Sequence, residues 1–194
     1  MKAMHIDDVL DRAHVVSLPL AVRFRGITTR EALLIEGPAG WGEFAPFLEY
    51  GPAESAAWLR GGLEAAYEGF PEPVRDSIEV NATIPAVPAS EVPAVVERYP
   101  GCRTFKIKVA EKGHTLADDA ARVRAVRDAV TQRGDIPILR VDANGGWTVD
   151  EAVEAAQMMM PLDYMEQPCA TTEELAQVRG RLMRAGLFVR VAAD

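Results

Sequence analysis

TFKIKV at Thr104 to Val109, ILRVDA at Ile138 to Ala143, YMEQP at Tyr164 to Pro168 and FVRVAAD at Phe188 to Asp194 decide how this 194-residue chain folds. Longer stretches with helical periodicity separate them, and the strict alternation predicts repeated βα units on a parallel sheet. A strand covered on both faces should read as a nearly continuous apolar run. These do not. Side chains alternate along a strand, so Phe105, Ile107 and Val109 share one face while Lys106 and Lys108 share the other. In the same way Leu139, Val141 and Ala143 oppose Arg140 and Asp142, and Val189, Val191 and Ala193 oppose Arg190 and Asp194. Charges on such a face are costly to bury unless they are paired or metal-bound, so the face is a site or an exposed surface. In a (β/α) barrel it would be the interior, where residues at the C-terminal ends of the strands line the active site. Lys108, Asp142, Glu166 and Asp194 all stand at such ends.

The intervening helices are legible from their stripes and starts. Leu116, Ala120, Val123 and Val130 form an apolar stripe, and the arginines Arg122, Arg124 and Arg127 fall largely on the other side, where a solvated face is expected. Thr148 with Glu151, and Thr171 with Glu174, make two S/T-x-x-E capping boxes, each ahead of an apolar series.

Upstream, from His14 to about Tyr99, the chain reads as α+β. Ala32 to Ile35 runs into the turn Gly37-Pro38-Ala39-Gly40 and returns through Trp41 and Phe44, a hairpin. A helix is predicted from Pro52 to Tyr67 and a strand from Ile78 to Ile84. Pro85, Pro88, Pro93 and Pro100 then suggest a connection into something new, so the predicted domains are residues 1–99 and 100–194.

Three carboxylates from successive strands, Asp142, Glu166 and Asp194, could converge on one hard divalent cation. With no His or Cys among the donors, Mg²⁺ is favoured over Zn²⁺. The alternative is a buried ion network in which they pair with Lys106, Lys108, Arg140 and Arg190. Two ammonium groups beside a cation depress each other's pKa, and a lysine left neutral is a base suited to removing a proton next to a carboxylate. A KxK pair in a half-exposed strand is the plainer reading of Lys106 and Lys108.

A formal net charge of -8 disfavours nucleic acid and anionic membranes as partners and leaves a small-molecule substrate. Cys102 and Cys169 lack CxxC spacing and read as packing thiols. Acidic residues interrupt the N-terminus where a signal peptide would need an apolar core, so a cytoplasmic protein is expected. His5, His14 and His114 are scattered without ligand spacing and receive no role; Met158 to Met160 reads as helix-end packing. No phosphate-binding glycine pattern occurs around Gly145-Gly146.

KIK at Lys106 to Lys108, VDAN at Val141 to Asn144, MEQP at Met165 to Pro168 and AAD at Ala192 to Asp194, in that order and spacing, resemble the enolase superfamily. The resemblance implies an α+β capping domain, including WGEFAP at Trp41 to Pro46, followed by the first half of a (β/α) TIM-like barrel. It implies Asp142, Glu166 and Asp194 as Mg²⁺ ligands, Lys108 as catalytic acid/base and Lys106 as its electrostatic partner. VRFRGI at Val22 to Ile27 and the compact cap most resemble the bacterial o-succinylbenzoate synthases, Mg²⁺-dependent dehydratases of menaquinone biosynthesis. By that resemblance two cap loops close over a small carboxylate substrate, here around Phe24, Arg25 and Gly26 and around Phe47 to Tyr50, with Asn144 a further substrate contact. Arg25 also reads as an ordinary surface arginine.

The family's second active-site lysine would lie beyond Asp194, which ends the fourth predicted barrel strand. A half-barrel with a charged inner face cannot close, so a truncated, inactive product or self-association through the open sheet is expected. Two alternatives stay open: another superfamily activity (N-succinylamino acid racemase, dipeptide epimerase or muconate cycloisomerase), or an inactive fragment acting as an oligomeric module.

Overall fold

A computed structural model describes residues 5–24 and 26–194; the side chains of Val22 and Phe24 lie outside the described set, as does all of Arg25. Contacts divide the chain into two units, one running to Ser77 and the other spanning Ile78–Asp194.

In the first unit a short helix, α1 (Ile6–Leu10), precedes three strands, β1 (Ala13–Phe24), β2 (Ile27–Gly37) and β3 (Gly40–Phe44), and a helix, α2 (Pro52–Tyr67). The strands form an antiparallel sheet in the order β1-β2-β3. The predicted hairpin is present, Gly37 pairing with Gly40 across Pro38-Ala39. The helix matches its predicted span, with proline in the first turn, where its missing N–H costs nothing. It can press on the sheet because the contact is built from glycines. A Cβ on Gly62 would stand 2.5 Å from the Glu43 carbonyl oxygen, and one on Gly42 would collide with the Gly62 carbonyl. Ile35 and Ala66, both fully buried, fill the seam beside them.

The second unit is a parallel sheet ordered β4 (Ala82–Ile84), β5 (Thr104–Lys108), β6 (Ile138–Asp142), β7 (Tyr164–Glu166) and β8 (Arg190–Ala192). It has five strands, one more than the sequence reading expects. The strand predicted at 78–84 shortens to Ala82–Ile84 and pairs with β5 instead of closing the first unit. Ile78 and Val80 are exposed, so the apparent run of β-formers extends beyond the pairing. The prolines that suggest a boundary instead punctuate the first βα connection. Pro88 precedes a 3₁₀ turn (Ala89–Glu91), Pro93 lies in the first turn of the short helix α3 (Val92–Val96), and Pro100 follows that helix. The division between units therefore falls some twenty residues earlier than the prolines suggest.

The remaining helices are α4 (Leu116–Gln132), α5 (Val149–Met159) and α6 (Thr172–Arg184). Both predicted capping boxes form, and a third, Thr115 with Asp118, starts α4. Phe105, Ile107, Val141 and Met165 on the sheet meet Val123, Val126, Ala152, Ala155 and Val178 from the helices in one core. Fully burying each of the larger side chains contributes roughly 1.5–3 kcal/mol.

One surface expectation is overturned here. Arg122 is 1% exposed, and Arg127 donates to the Met159 carbonyl at 2.7 Å. α4 has α3 and α5 as neighbours as well as the sheet, so its flanks are covered too and cannot be a wholly solvated face. Among the described residues no helix is long and apolar enough to cross a membrane.

Gly62→Ala should destabilise the first unit by about 1–3 kcal/mol, because the added methyl meets backbone that cannot rotate away. A lowered urea midpoint would show this; an unchanged midpoint would mean that the helix-to-sheet seam is not tight.

Candidate active site

The parallel pairing brings the strand ends together in register. Lys108 is opposite Asp142, Asp142 opposite Glu166, and Glu166 opposite Ala192. The apolar set of each strand faces the helices, so Lys106, Lys108, Asp142 and Glu166 gather on the other face. Their side chains are 22%, 11%, 1% and 13% exposed.

Lys106 Nζ lies 2.9 Å from Glu166 Oε1 and 3.3 Å from Asp142 Oδ2. Lys108 donates to the same Asp142 Oδ2, and its Nζ is 3.4 Å from Asn144 Oδ1. The other Asp142 oxygen accepts the Asn144 backbone N–H at 3.1 Å. Tyr164 Oη stands 3.4 Å from Glu166 Oε2. Toward the N-terminal ends of the strands, Arg140 donates to Asp163 at 2.9 Å and to Asn81 Oδ1 at 2.8 Å, and Arg190 also bonds Asp163. The buried ion network weighed from sequence therefore exists. It joins the two lysines to two of the three carboxylates, while Arg140 and Arg190 belong to a separate cluster around Asp163.

Burial is the largest influence on Asp142 and works to raise its pKa. The hydrogen bond and charge of Lys108, the Asn144 amide and the Lys106 charge outweigh it, so the carboxyl titrates below its ordinary 3.8. For Lys106, burial works to lower the pKa, but the Glu166 bond and the Asp142 and Glu166 charges prevail, and it rises above 10.5. For Lys106 this is the reverse of the depression expected for a lysine pair beside a metal, because its ammonium faces two carboxylates. Burial also raises the Cys169 thiol, in keeping with a packing role.

The third expected metal ligand is not drawn in. Asp194 is exposed, and its backbone N–H is tied to Gln167 Oε1 at 2.9 Å. Among the described residues no group of three or more His, Cys, Asp or Glu side chains is disposed to hold a metal. The donor chemistry of Asp142 and Glu166 nevertheless fits a hard cation. They are oxygen donors on adjacent strands at matched register, and they already share one positive centre, the Lys106 ammonium.

Of the residues expected to touch substrate, Asn144 sits beside Lys108. Gly26, with φ +80°, turns β1 into β2 within the first unit, and Arg25 and the Phe24 side chain lie outside the described residues. In the loop at 47–50, the Arg30 guanidinium covers the Phe47 ring at 4.5 Å, and Phe47 packs edge-on against Tyr50. Sequence reasoning missed Tyr164, Gln167 and the bonds made by Arg122. Left-handed backbone at Ala110, Asn144 and Gln167 turns the chain just past Lys108, Asp142 and Glu166. Asn144 is the kind of residue that signals such a turn; Ala110 and Gln167 are not.

Parallel βα units whose charged residues gather on the face away from the helices define a βα-type domain with a candidate site at its strand ends. Two family models match: enolase N-terminal domain-like over residues 15–66, and enolase C-terminal domain-like over 89–194, more than half the chain. The chain belongs to this enolase-like family. It is 59% identical over 192 residues to an o-succinylbenzoate synthase of Mycolicibacterium smegmatis, covering 97% of this chain and 56% of that protein. It is 58% identical to one from Mycobacterium leprae, covering 97% and 54%. The chain thus spans about half the length of the curated relatives it matches. Among solved structures, the L-Ala-D/L-Glu epimerase of Bacillus subtilis superposes with TM-score 0.71 at 24% identity, over 94% of this chain and 66% of that one. A magnesium-bound o-succinylbenzoate synthase of Thermosynechococcus elongatus gives TM-score 0.56 at 21% identity, over 94% and 67%. At such identities these two support the fold alone.

The opposed shifts fix the sign of the pH dependence. Asp142, lowered in the folded state, stabilises above about pH 3.8 and loses this as pH falls through its folded value. Lys106, raised, stabilises below about pH 10.5 and loses this as pH rises through its folded value. Asp142→Asn should cost about 3–5 kcal/mol at neutral pH, as for breaking a buried pair, and should flatten the acid limb of stability against pH. Lys106→Met should flatten the alkaline limb. Denaturant titrations from pH 3 to 11 check both, and unchanged limbs would mean that the network contributes nothing.

Proposed function

We propose that this chain carries strand-end site residues of an o-succinylbenzoate synthase, which dehydrates 2-succinyl-6-hydroxy-2,4-cyclohexadiene-1-carboxylate to o-succinylbenzoate. The observation that carries the reading is the juxtaposition of Lys106, Lys108, Asp142 and Glu166 at adjoining strand ends. It occurs in a chain 59% identical, over nearly its whole length, to a protein of that activity.

In this reading Lys108 removes the proton α to the substrate carboxylate and returns a proton to the departing hydroxyl. Breaking the C–H and C–O bonds releases water and leaves the aromatic ring. What supports this role is the company Lys108 keeps: Asp142 accepts from its amine, and Asn144 lies within reach of the same nitrogen. Lys106 keeps a second positive charge beside it. Asp142 and Glu166, with Asp194 as a third oxygen donor, would hold Mg²⁺. Bound there, the cation would supply positive charge to the substrate carboxylate and so make the neighbouring proton more acidic. A cation on these carboxylates also gives them a partner other than the lysines, the condition under which Lys108 can act as a base.

The test is turnover of the cyclohexadiene carboxylate with Mg²⁺, by this chain and by one extended to the length of its relatives. Lys108→Ala should lower the rate about 10²–10⁴-fold, the usual worth of a general base, and EDTA should abolish it. Activity that survives either treatment, or no activity in the extended chain, would contradict the proposal.

A further inference from the structure

Arg122 and Asp119 are each 1% exposed, and the resemblance assigns neither a role. All three guanidinium nitrogens of Arg122 make hydrogen bonds. Nε donates to the Val87 carbonyl at 2.6 Å. Nη1 donates to the Lys108 carbonyl at 3.1 Å and to Asp119 Oδ1 at 2.6 Å. Nη2 donates to His114 Nδ1 at 2.8 Å, which makes that nitrogen the acceptor, since arginine has none to offer. The other Asp119 oxygen accepts the Ala110 backbone N–H at 2.8 Å.

Two of these bonds close on one short stretch of chain, residues 108–110. Its carbonyl at Lys108 is held by Arg122 and its amide at Ala110 by Asp119. Between them Val109 N–H donates to the Asp142 carbonyl at 3.0 Å. Ala110 adopts φ +57° without being glycine. The loop after β6 presses on it so closely that a Cβ on Gly146 would meet the Ala110 Cβ at 2.8 Å. A buried ion pair of this kind is a poor way to gain stability, because well-packed apolar side chains of similar volume often do as well or better. What it provides is fixed direction: a planar donor fork and a two-oxygen acceptor gripping backbone from opposite sides.

We propose that Arg122 and Asp119 are positioning residues for Lys108. From α4 they hold the end of β5 so that the Lys108 amine is delivered to Asp142 and Asn144. The inference rests on Lys108 being the acid/base of the proposed reaction. Misplacing such a group by about 1 Å costs on the order of 100-fold in rate.

The first readout needs no turnover. At one fixed pH, the purified chain is treated with an amine-reactive reagent and modification of Lys106, Lys108 and Lys112 is mapped by peptide mass spectrometry. Lys112, exposed in the same loop, is the reference. In Arg122→Met, Lys108 should react severalfold faster relative to Lys106 and Lys112, and Arg122→Lys should restore part of the protection. Should Arg122→Met not fold, with Lys106 and Lys108 rising together, the isosteric Asp119→Asn decides: a selective rise at Lys108 supports the proposal. A folded variant of lowered Tm with unchanged Lys108 reactivity overturns it and reduces the pair to a staple between helix and sheet. In the turnover assay, kcat should fall about 100-fold with KM within about twofold. If neither this chain nor one extended to the length of its relatives turns over, that counts against the functional reading, and the lysine readout still decides the role of Arg122.

Discussion

Two ammonium groups and two carboxylates on the concealed face of a parallel sheet must neutralise one another, and most of this chain's second unit is arranged around that constraint. Desolvating any one of the four alone would cost several kcal/mol. The register of β5, β6 and β7 removes the problem by setting Lys108, Asp142 and Glu166 side by side, with Lys106 bridging the two acids. The helices supply what the sheet cannot, covering the apolar face with Val123, Val126, Ala152, Ala155 and Val178. The capping boxes at Thr115, Thr148 and Thr171 start each of α4, α5 and α6 directly after the turn that leaves a site strand.

In the proposed reading, the ion network and the cation site are two occupancies of the same oxygens. Asp142 and Glu166 require positive charge between them, and either an ammonium or a divalent cation meets that need. The raised pKa of Lys106 and the lowered one of Asp142 belong to the ammonium form. A change of partner at the carboxylates is thus a change in the chemistry available to the lysines. That links the metal-binding and acid/base roles that the enolase-like resemblance implies for neighbouring residues.

Much of this was legible in the sequence because it follows from periodicity. Strand alternation separates Phe105, Ile107 and Val109 from Lys106 and Lys108, and the structure keeps that division. The 37–40 hairpin turn and the 52–67 helix also carry local chemistry that tertiary contacts do not override. Two things were not legible, for different reasons. β4 is three residues long and followed by proline, so its membership of the parallel sheet depends on pairing with β5, a contact distant in sequence. Arg122 has the spacing of a solvated residue, and its burial depends on a carbonyl 35 positions away at Val87. Asp194 shows the limit of spacing arguments: it falls one βα unit after Glu166, yet Ala192 is the residue in register with Glu166.

The most direct measurement is a crystal structure of this chain grown with Mg²⁺. The expected result is the ion on Asp142 and Glu166 oxygens, with Asp194 drawn toward it and the Lys108 amine released from Asp142. Lysines still bonded to both carboxylates, with Mg²⁺ absent or bound elsewhere, would contradict the account and leave the charged face as a structural ion network alone.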